Sequence, residues 1–179
     1  MSMQTGAFLM VGLFLIVFQT TILQTLPTWF GSPDLMFILV VFIAYRFDSL
    51  RGFFLCFMFG WMMDVASGLY LGFFVIEYLL VFIIINTLTK NSPIKESAYQ
   101  VPLVGLSYFL AQLLLYASLA MMVEDTLAPW SWSKMLREAI ILTVATIPCF
   151  ILFNSLYEFL QKRKTVSRVA RRKAGNRFR

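Results

Sequence analysis

Residues 60–72 read GWMMDVASGLYLG and lie between two long apolar runs. An ionisable side chain is costly inside a membrane, so Asp64 needs an explanation in so apolar a chain. Serine and glycine directly after it are typical of a helix end and a tight turn. The stretch therefore predicts a hairpin of two apolar helices, the third and fourth of the chain.

The composition on either side of this hairpin indicates a membrane protein. Of the 179 residues, 60% are hydrophobic and 13% are charged, whereas a soluble domain has about a quarter charged residues. Apolar runs close to the length that crosses a hydrocarbon core of ~30 Å recur along the chain. We predict an all-α, six-helix transmembrane domain over residues 1–161 and a basic cytoplasmic tail, disordered or on the membrane surface, over residues 162–179.

Six helical spans are predicted, and the second is the shortest. For that span a tilted, partly interfacial or re-entrant helix remains open. The first span has no preceding lysine or arginine, so we expect it to be retained and not cleaved as a signal peptide. The predicted spans cover roughly residues 6–25, 34–46, 50–66, 70–89, 101–123 and 135–160.

The distribution of lysine and arginine predicts the orientation. Cytoplasmic loops of membrane proteins carry an excess of these residues. With both termini in the cytoplasm, the outside holds only Lys134 and Arg137, and every other basic residue lies inside. We therefore expect a multi-pass protein of a bacterial inner membrane with both termini cytoplasmic.

No set of side chains predicts catalysis or metal binding. The chain has no histidine, which removes the commonest metal ligand and the usual base of a nucleophile pair. Cys56 and Cys149 lie inside apolar runs and are expected to be small buried side chains. Interhelical hydrogen bonds adequately explain polar residues such as Gln19, Gln112 and Asn154. We expect no catalytic residue, no metal and no cofactor.

Gly52, Cys56 and Gly60 are spaced by four residues in the third span. Positions four apart lie on one face of a helix, so these residues form a smooth stripe. In lipid, small residues let two helix backbones approach closely. The stripe is either a seam with another helix of this chain or a groove that accepts a partner's helix.

Asp64 falls in the last turn of the third span, where the helix dipole disfavours a carboxylate. The position is reasonable if the carboxylate turns to the free amides at the start of the next helix. Ser67 could cap that same helix start, and Gly68 suits the left-handed conformation that ends a helix, with Gly72 completing the turn. We interpret Asp64 as a clasp between the two helices at the outer face; ligand or proton handling is the alternative.

Two further acids lie near the predicted outer face. Asp34 follows Pro33 at the start of the second span, where an acid complements the helix dipole. Glu77 lies within the fourth span, which makes it a functional candidate by default. It could pair with Lys134 or Arg137, or be protonated and hydrogen-bonded, and a contact with a partner or ligand stays open.

The tail is strongly basic and begins where the last span is predicted to end. Basic residues next to a span are attracted to anionic lipids. An acidic cytoplasmic partner is a second explanation, and we do not expect nucleic-acid binding. The residues expected to contact anionic lipid are Lys162, Arg163, Lys164, Arg168, Arg171, Arg172 and Lys173.

The combined motifs of residues 31–90 resemble one family, the rod shape-determining protein MreD. The first, fifth and sixth spans resemble the family only in hydropathy. The basic tail is longer than expected for the family. The residues that carry the resemblance are Pro33-Asp34-Leu35, Arg46, Arg51, Gly52 and the pattern Gly60-x-x-x-Asp64-x-x-Ser67-Gly68-x-x-Leu71-Gly72.

The resemblance implies a non-enzymatic scaffold of the bacterial cell-elongation complex, which controls cell shape. Proteins similar to this one bind MreC, and they are thought to link a RodA-type glycosyltransferase and its class B penicillin-binding protein to MreB filaments. It also implies a fold like the substrate-binding subunits of energy-coupling-factor transporters. A small-molecule-binding subunit of a membrane transporter is therefore the alternative function.

Overall fold

The computed structural model describes residues 3–21, 34–68, 72–91, 97–122 and 131–175. Within these ranges every regular element is an α-helix, and no strand is present. The all-α fold class and the six predicted helices agree with the structure. The helices are α1 (Met3–Thr21), α2 (Leu35–Arg46), α3 (Ser49–Ser67), α4 (Phe73–Asn91), α5 (Ser97–Met122) and α6 (Trp132–Gly175).

The short helix α2 lies at the centre of the bundle. Its residues 36–44 are all buried, and it contacts each of the other five helices. A helix that is apolar on every side must be enclosed by other elements, and the sequence LMFILVVFIAYR is apolar in this way. The other five helices shield it, although its length alone also allows a tilted, interfacial or re-entrant position.

Five of the six helices are long and apolar enough to cross a membrane. The exception is α2, whose 12 residues span only ~18 Å at 1.5 Å per residue, against a hydrocarbon core of ~30 Å. The number of spans is therefore supported for five helices, not for the six that were predicted.

The start of α5 and the end of α6 differ from the prediction. Helix α5 begins at Ser97, so Pro102 lies inside it and not before it; near a helix start a proline removes few backbone hydrogen bonds. Helix α6 continues to Gly175, past the predicted end near residue 160. The added segment is rich in lysine, arginine and alanine, which favour helix, and the first glycine ends it.

Aromatic side chains fill the centre of the bundle around α2. Phe42 stacks on Phe8 with ring centroids 5.6 Å apart. Its ring centroid also lies 5.5 Å from those of Phe150 and Phe153. Nearer the start of α2, Phe37 meets Tyr108 edge to face at 5.2 Å. Aromatic pairs at these distances add attraction beyond the burial of their area. The packed core holds α2 from several sides at once.

The outer surface of the bundle is apolar. Large side chains such as Phe14, Trp61 and Ile151 are more than half exposed. A monomeric soluble protein rarely shows so many exposed apolar side chains over one surface. Helices that face lipid need such a surface, so the exposed side chains and the composition both indicate a membrane protein.

Candidate functional site: a polar cluster at the start of α2

The Asp64 carboxylate joins α3 to the start of α4. One oxygen accepts a hydrogen bond from the Gly72 amide at 2.8 Å, and the other accepts from the Phe74 amide at 2.9 Å. Asp64 itself is 2% exposed. The first amides of a helix have no partner within the helix, and an anion there is stabilised by the dipole. This is the contact that the Asp64 position predicts.

The turn after Asp64 has the backbone geometry that its glycines allow. Gly68 has φ +66°, and its amide donates to the Asp64 carbonyl oxygen at 3.3 Å. Gly72, just before α4, has φ +104°. The Ser67 hydroxyl donates to the Asp64 carbonyl oxygen at 3.2 Å, in the last turn of α3. Asp64 therefore takes part both in the end of α3, through its carbonyl oxygen, and in the contact with α4, through its carboxylate.

The small-residue stripe of α3 is covered by α4. A side-chain carbon at Gly60 would lie 2.5 Å from the Val75 Cα, and one at Gly52 would overlap the Phe82 ring. Cys56, between the two glycines, is fully buried. Close backbone approach of this kind is the use that membrane helices make of small residues. The contacts fit a seam within the chain and leave no open groove at Gly52 and Gly60.

Asp34 forms the centre of a hydrogen-bonded group that joins three helices. Its carboxylate accepts from the Met36 amide at 3.0 Å, which caps α2 as expected for an acid at a helix start. Gln19 of α1 donates to the same oxygen at 3.0 Å, and the Tyr78 hydroxyl of α4 donates to the other oxygen at 2.5 Å. The start of the central helix is therefore bound to its neighbours by a buried carboxylate.

Glu77 is buried near these two acids. It is 4% exposed, and its Oε2 atom has no hydrogen-bond partner among the described residues. Neither Lys134 nor Arg137 forms an ion pair with it, so the predicted pairing is not present in the described structure. Glu77 directly precedes Tyr78, which binds Asp34, and follows Phe74, which binds Asp64, by three residues. Three acidic side chains thus share one end of the bundle.

A cavity of about 390 Å³ opens beside Asp34 at this end of the bundle. Its size falls within the range of small-molecule sites, ~300–1,000 Å³. Polar side chains from α1, α2, α3, α5 and α6 line it together with a few apolar ones. The polar lining consists of Gln19, Thr20, Asp34, Ser67, Tyr108, Gln112, Lys134 and Glu138.

Polar side chains also hold the far end of α2. The Asn86 amide nitrogen in α4 donates to the Ala44 carbonyl oxygen at 3.2 Å. The Arg46 guanidinium donates to the Asn154 amide oxygen of α6 at 2.5 Å and lies over the Tyr157 ring, 5.9 Å from its centroid. The last carbonyls of a helix have no partner within it, and Asn86 supplies one for Ala44. The Arg46 contacts join the end of α2 to α6.

Several residues of these contacts were not singled out from the sequence. Tyr78 and Tyr108 lie within the predicted fourth and fifth spans, but the sequence assigns no role to them, to Asn86 or to Glu138. A buried polar residue within an apolar helix is a weak signal for a contact, and it would have pointed to Asn86. Nothing in the sequence indicates that Tyr78 meets Asp34, because the pairing depends on how helices pack.

Two sets of predicted residues fall wholly or partly outside the described structure. Pro33 precedes the described part of α2. In the tail, Lys162 is exposed, while the side chains from Arg163 onward lie outside the described residues, so the contacts of Arg168, Arg171, Arg172 and the neighbouring lysines stay predictions.

The fold and the buried polar contacts together define a class: an all-helical bundle with the apolar exterior of a multi-pass membrane protein. Comparison of the chain with protein-family models, with curated proteins and with solved structures finds no match.

Proposed function

We propose that this protein is a non-enzymatic membrane scaffold of the bacterial cell-elongation complex, as its resemblance to MreD implies. It would bind an MreC-like membrane protein and help couple peptidoglycan synthesis to MreB filaments and so control cell shape. A RodA-type glycosyltransferase with its class B penicillin-binding protein would be the synthetic partner.

The observation that carries this proposal is that Asp34 and Asp64, the two acids of the MreD-like motif, both form hydrogen bonds within the chain. The Asp64 carboxylate accepts from two amides at the start of α4, and that of Asp34 accepts from Gln19, Met36 and Tyr78. A carboxylate that accepts hydrogen bonds from its own chain on both oxygens positions helices, and proton transfer to a substrate would compete with those bonds. Residues that maintain a shape suit a scaffold better than a catalyst.

A partner helix would dock on the outer surface of the bundle, since α4 fills the stripe at Gly52 and Gly60. The apolar exterior offers candidate positions on different sides, such as Trp61 on α3, Leu114 on α5 and Ile151 on α6. Between helices in lipid, association depends on packing and polar contacts, so the docking face must be found by experiment.

Photo-crosslinking in membranes tests this function. A photoreactive amino acid at Trp61, Leu114 or Ile151, one position at a time, is expected to give an adduct with an MreC-like protein from one side of the bundle. Adducts from one helix and not from the other two would support the scaffold. If the two proteins neither co-purify nor crosslink from any side, the proposal is wrong.

The cavity beside Asp34 favours a second candidate, a small-molecule-binding subunit of a transporter. Its volume and polar lining match a ligand site, whereas aromatic side chains pack around Phe42 at the centre. Native mass spectrometry of the purified chain separates the candidates. A small molecule that stays bound, and that Gln112→Leu releases, would favour the transporter subunit over the scaffold.

A further inference from the structure

An open groove of about 610 Å³ runs between α3 and α4 at the end of the bundle opposite the polar cluster. We call it the α3–α4 groove. Leu50, Phe53 and Ile83 form its apolar part, and Ser49, Asn86 and Lys90 form its polar end. The groove is separate from the Asp34 cavity, and the proposed function makes no use of it.

The polar end of the groove presents one cation. The Lys90 ammonium donates to the Ser49 hydroxyl, which donates to the Asn86 amide oxygen at 3.2 Å. Asn86 is in turn anchored to the buried Ala44 carbonyl oxygen. A chain of hydrogen bonds from the central helix thus holds the ammonium at the rim of the groove.

The charge of Lys90 has no counter-ion among the described acids. Asp48, the nearest acid in sequence to Ser49, is paired with Arg51 at 3.2 Å. Asp48 also forms no side-chain hydrogen bond to the first turn of α3, so the free amides there add to the attraction for an anion. The rim of the groove is therefore suited to a negatively charged group.

The apolar part of the groove faces outward. Leu50 is 86% exposed, and Phe53 and Ile83 are each about half exposed. The candidate spans begin at Ser49 in α3 and end at Lys90 in α4. The rim thus lies where hydrocarbon meets the lipid headgroups, with the apolar part at the depth of the acyl chains.

We propose that the α3–α4 groove binds one anionic glycerophospholipid. The phosphate would accept hydrogen bonds from the Lys90 ammonium, and an acyl chain would lie along Leu50, Phe53 and Ile83. Charge complementarity at the rim selects an anionic headgroup, and the apolar walls require a lipid and not a free phosphate. This site is distinct from the basic tail beyond Lys162.

Photolabelling in lipid nanodiscs tests the site. The full chain is placed in phosphatidylcholine nanodiscs with a trace of phosphatidylglycerol that carries a photoreactive group in its acyl chain, and adducts are mapped by mass spectrometry. A phosphatidylcholine probe with the same chains is the reference. We expect the anionic probe to label the groove about fivefold more than the reference, the factor that one basic group contributes near an anionic surface.

Three variants assign the preference to Lys90. Lys90→Gln should reduce anionic labelling of the groove to the level of the reference probe, and Lys90→Arg should keep the preference. The double variant Asp48→Asn/Arg51→Gln is the matched control, because it removes the ion pair at the same end of the bundle and leaves the net charge at the rim unchanged. The basic tail is the same in all these chains, so its attraction for anionic lipid does not contribute to differences in labelling between the variants.

The proposal fails if both probes label the groove equally, if neither labels it, or if Lys90→Gln changes nothing. Complete protection by soluble glycerol phosphate would also overturn it, since the site would then recognise a free phosphate without acyl chains. Elution of Lys90→Gln as a monodisperse protein shows that a lost preference does not come from unfolding. If that variant aggregates, the comparison of probes in the unmodified chain decides.

Discussion

Replacement of Asp64 by alanine should destabilise the bundle through the loss of two specific hydrogen bonds. The Gly72 and Phe74 amides would lose their acceptor, and each donor left without a partner costs ~1–3 kcal/mol when buried. Both residues are only partly buried, so water can replace part of the loss. We therefore expect the free energy of unfolding to fall by about 2–4 kcal/mol. Asp64→Asn keeps one acceptor oxygen and should lose about half as much.

Asp48→Ala is the matched control for this change. It also removes an aspartate next to a helix terminus, but the Asp48 side chain is 73% exposed and its contact is an ion pair with Arg51. Exposed ion pairs contribute ~0–1 kcal/mol. The control should therefore unfold at nearly the same denaturant concentration as the unmodified chain.

Equilibrium unfolding in mixed detergent micelles measures these differences. The chain has four tryptophans, and Trp61 lies one turn before Asp64 in α3, so fluorescence should report separation of the α3–α4 hairpin. The expected order of stability is unmodified chain, Asp64→Asn and then Asp64→Ala. If Asp64→Ala and Asp48→Ala unfold alike, the clasp has no energetic role and the reasoning is refuted.

The other variants test backbone approach, the buried carboxylate and the turn, each by the same unfolding measurement. Gly60→Ala should lower the free energy of unfolding by ~1–3 kcal/mol, because the added carbon meets the backbone of α4. Gly6→Ala is its control: Gly6 has open space around it, so the change should be neutral or stabilising by up to ~1 kcal/mol. Tyr78→Phe removes a donor to the buried Asp34 carboxylate and should cost ~1–3 kcal/mol; a loss below the error of the measurement would contradict that contact. Gly68→Ala should cost ~1 kcal/mol from its positive φ alone, and an unchanged stability would mean that the turn rearranges at no cost.

Local chemistry explains how far the sequence could predict the candidate site. The positions of Asp64, Gly68 and Gly72 depend on a helix end, a left-handed residue and the next helix start, all within one short stretch. Such features follow from nearby residues and from backbone sterics. Asp34 could be assigned to a helix start for the same reason. The clasp and the cap of α2 were therefore accessible without a structure.

Contacts between distant segments were not accessible in this way. The pairing of Tyr78 with Asp34 joins residues 44 positions apart, and that of Arg46 with Asn154 joins residues 108 apart. An apolar span gives little sign of which helix it will meet, because lipid is as apolar as a neighbouring helix, and only packing and polar contacts distinguish between partners. Glu77 shows the same limit: opposite charge made an ion pair with Lys134 or Arg137 one of its open alternatives, and the described structure contains no such pair.

The sequence by itself determined that the chain forms apolar helices, where most of them begin and end, and how Asp64 closes the α3–α4 hairpin. These properties come from hydropathy, helix propensity and turn geometry, which act over a few residues. Only the tertiary structure decided that α2 lies at the centre, that α4 covers the glycine stripe, and that a cavity and a groove form at opposite ends. Those outcomes depend on the fit of side chains from several helices at once, and that fit is a property of the whole bundle.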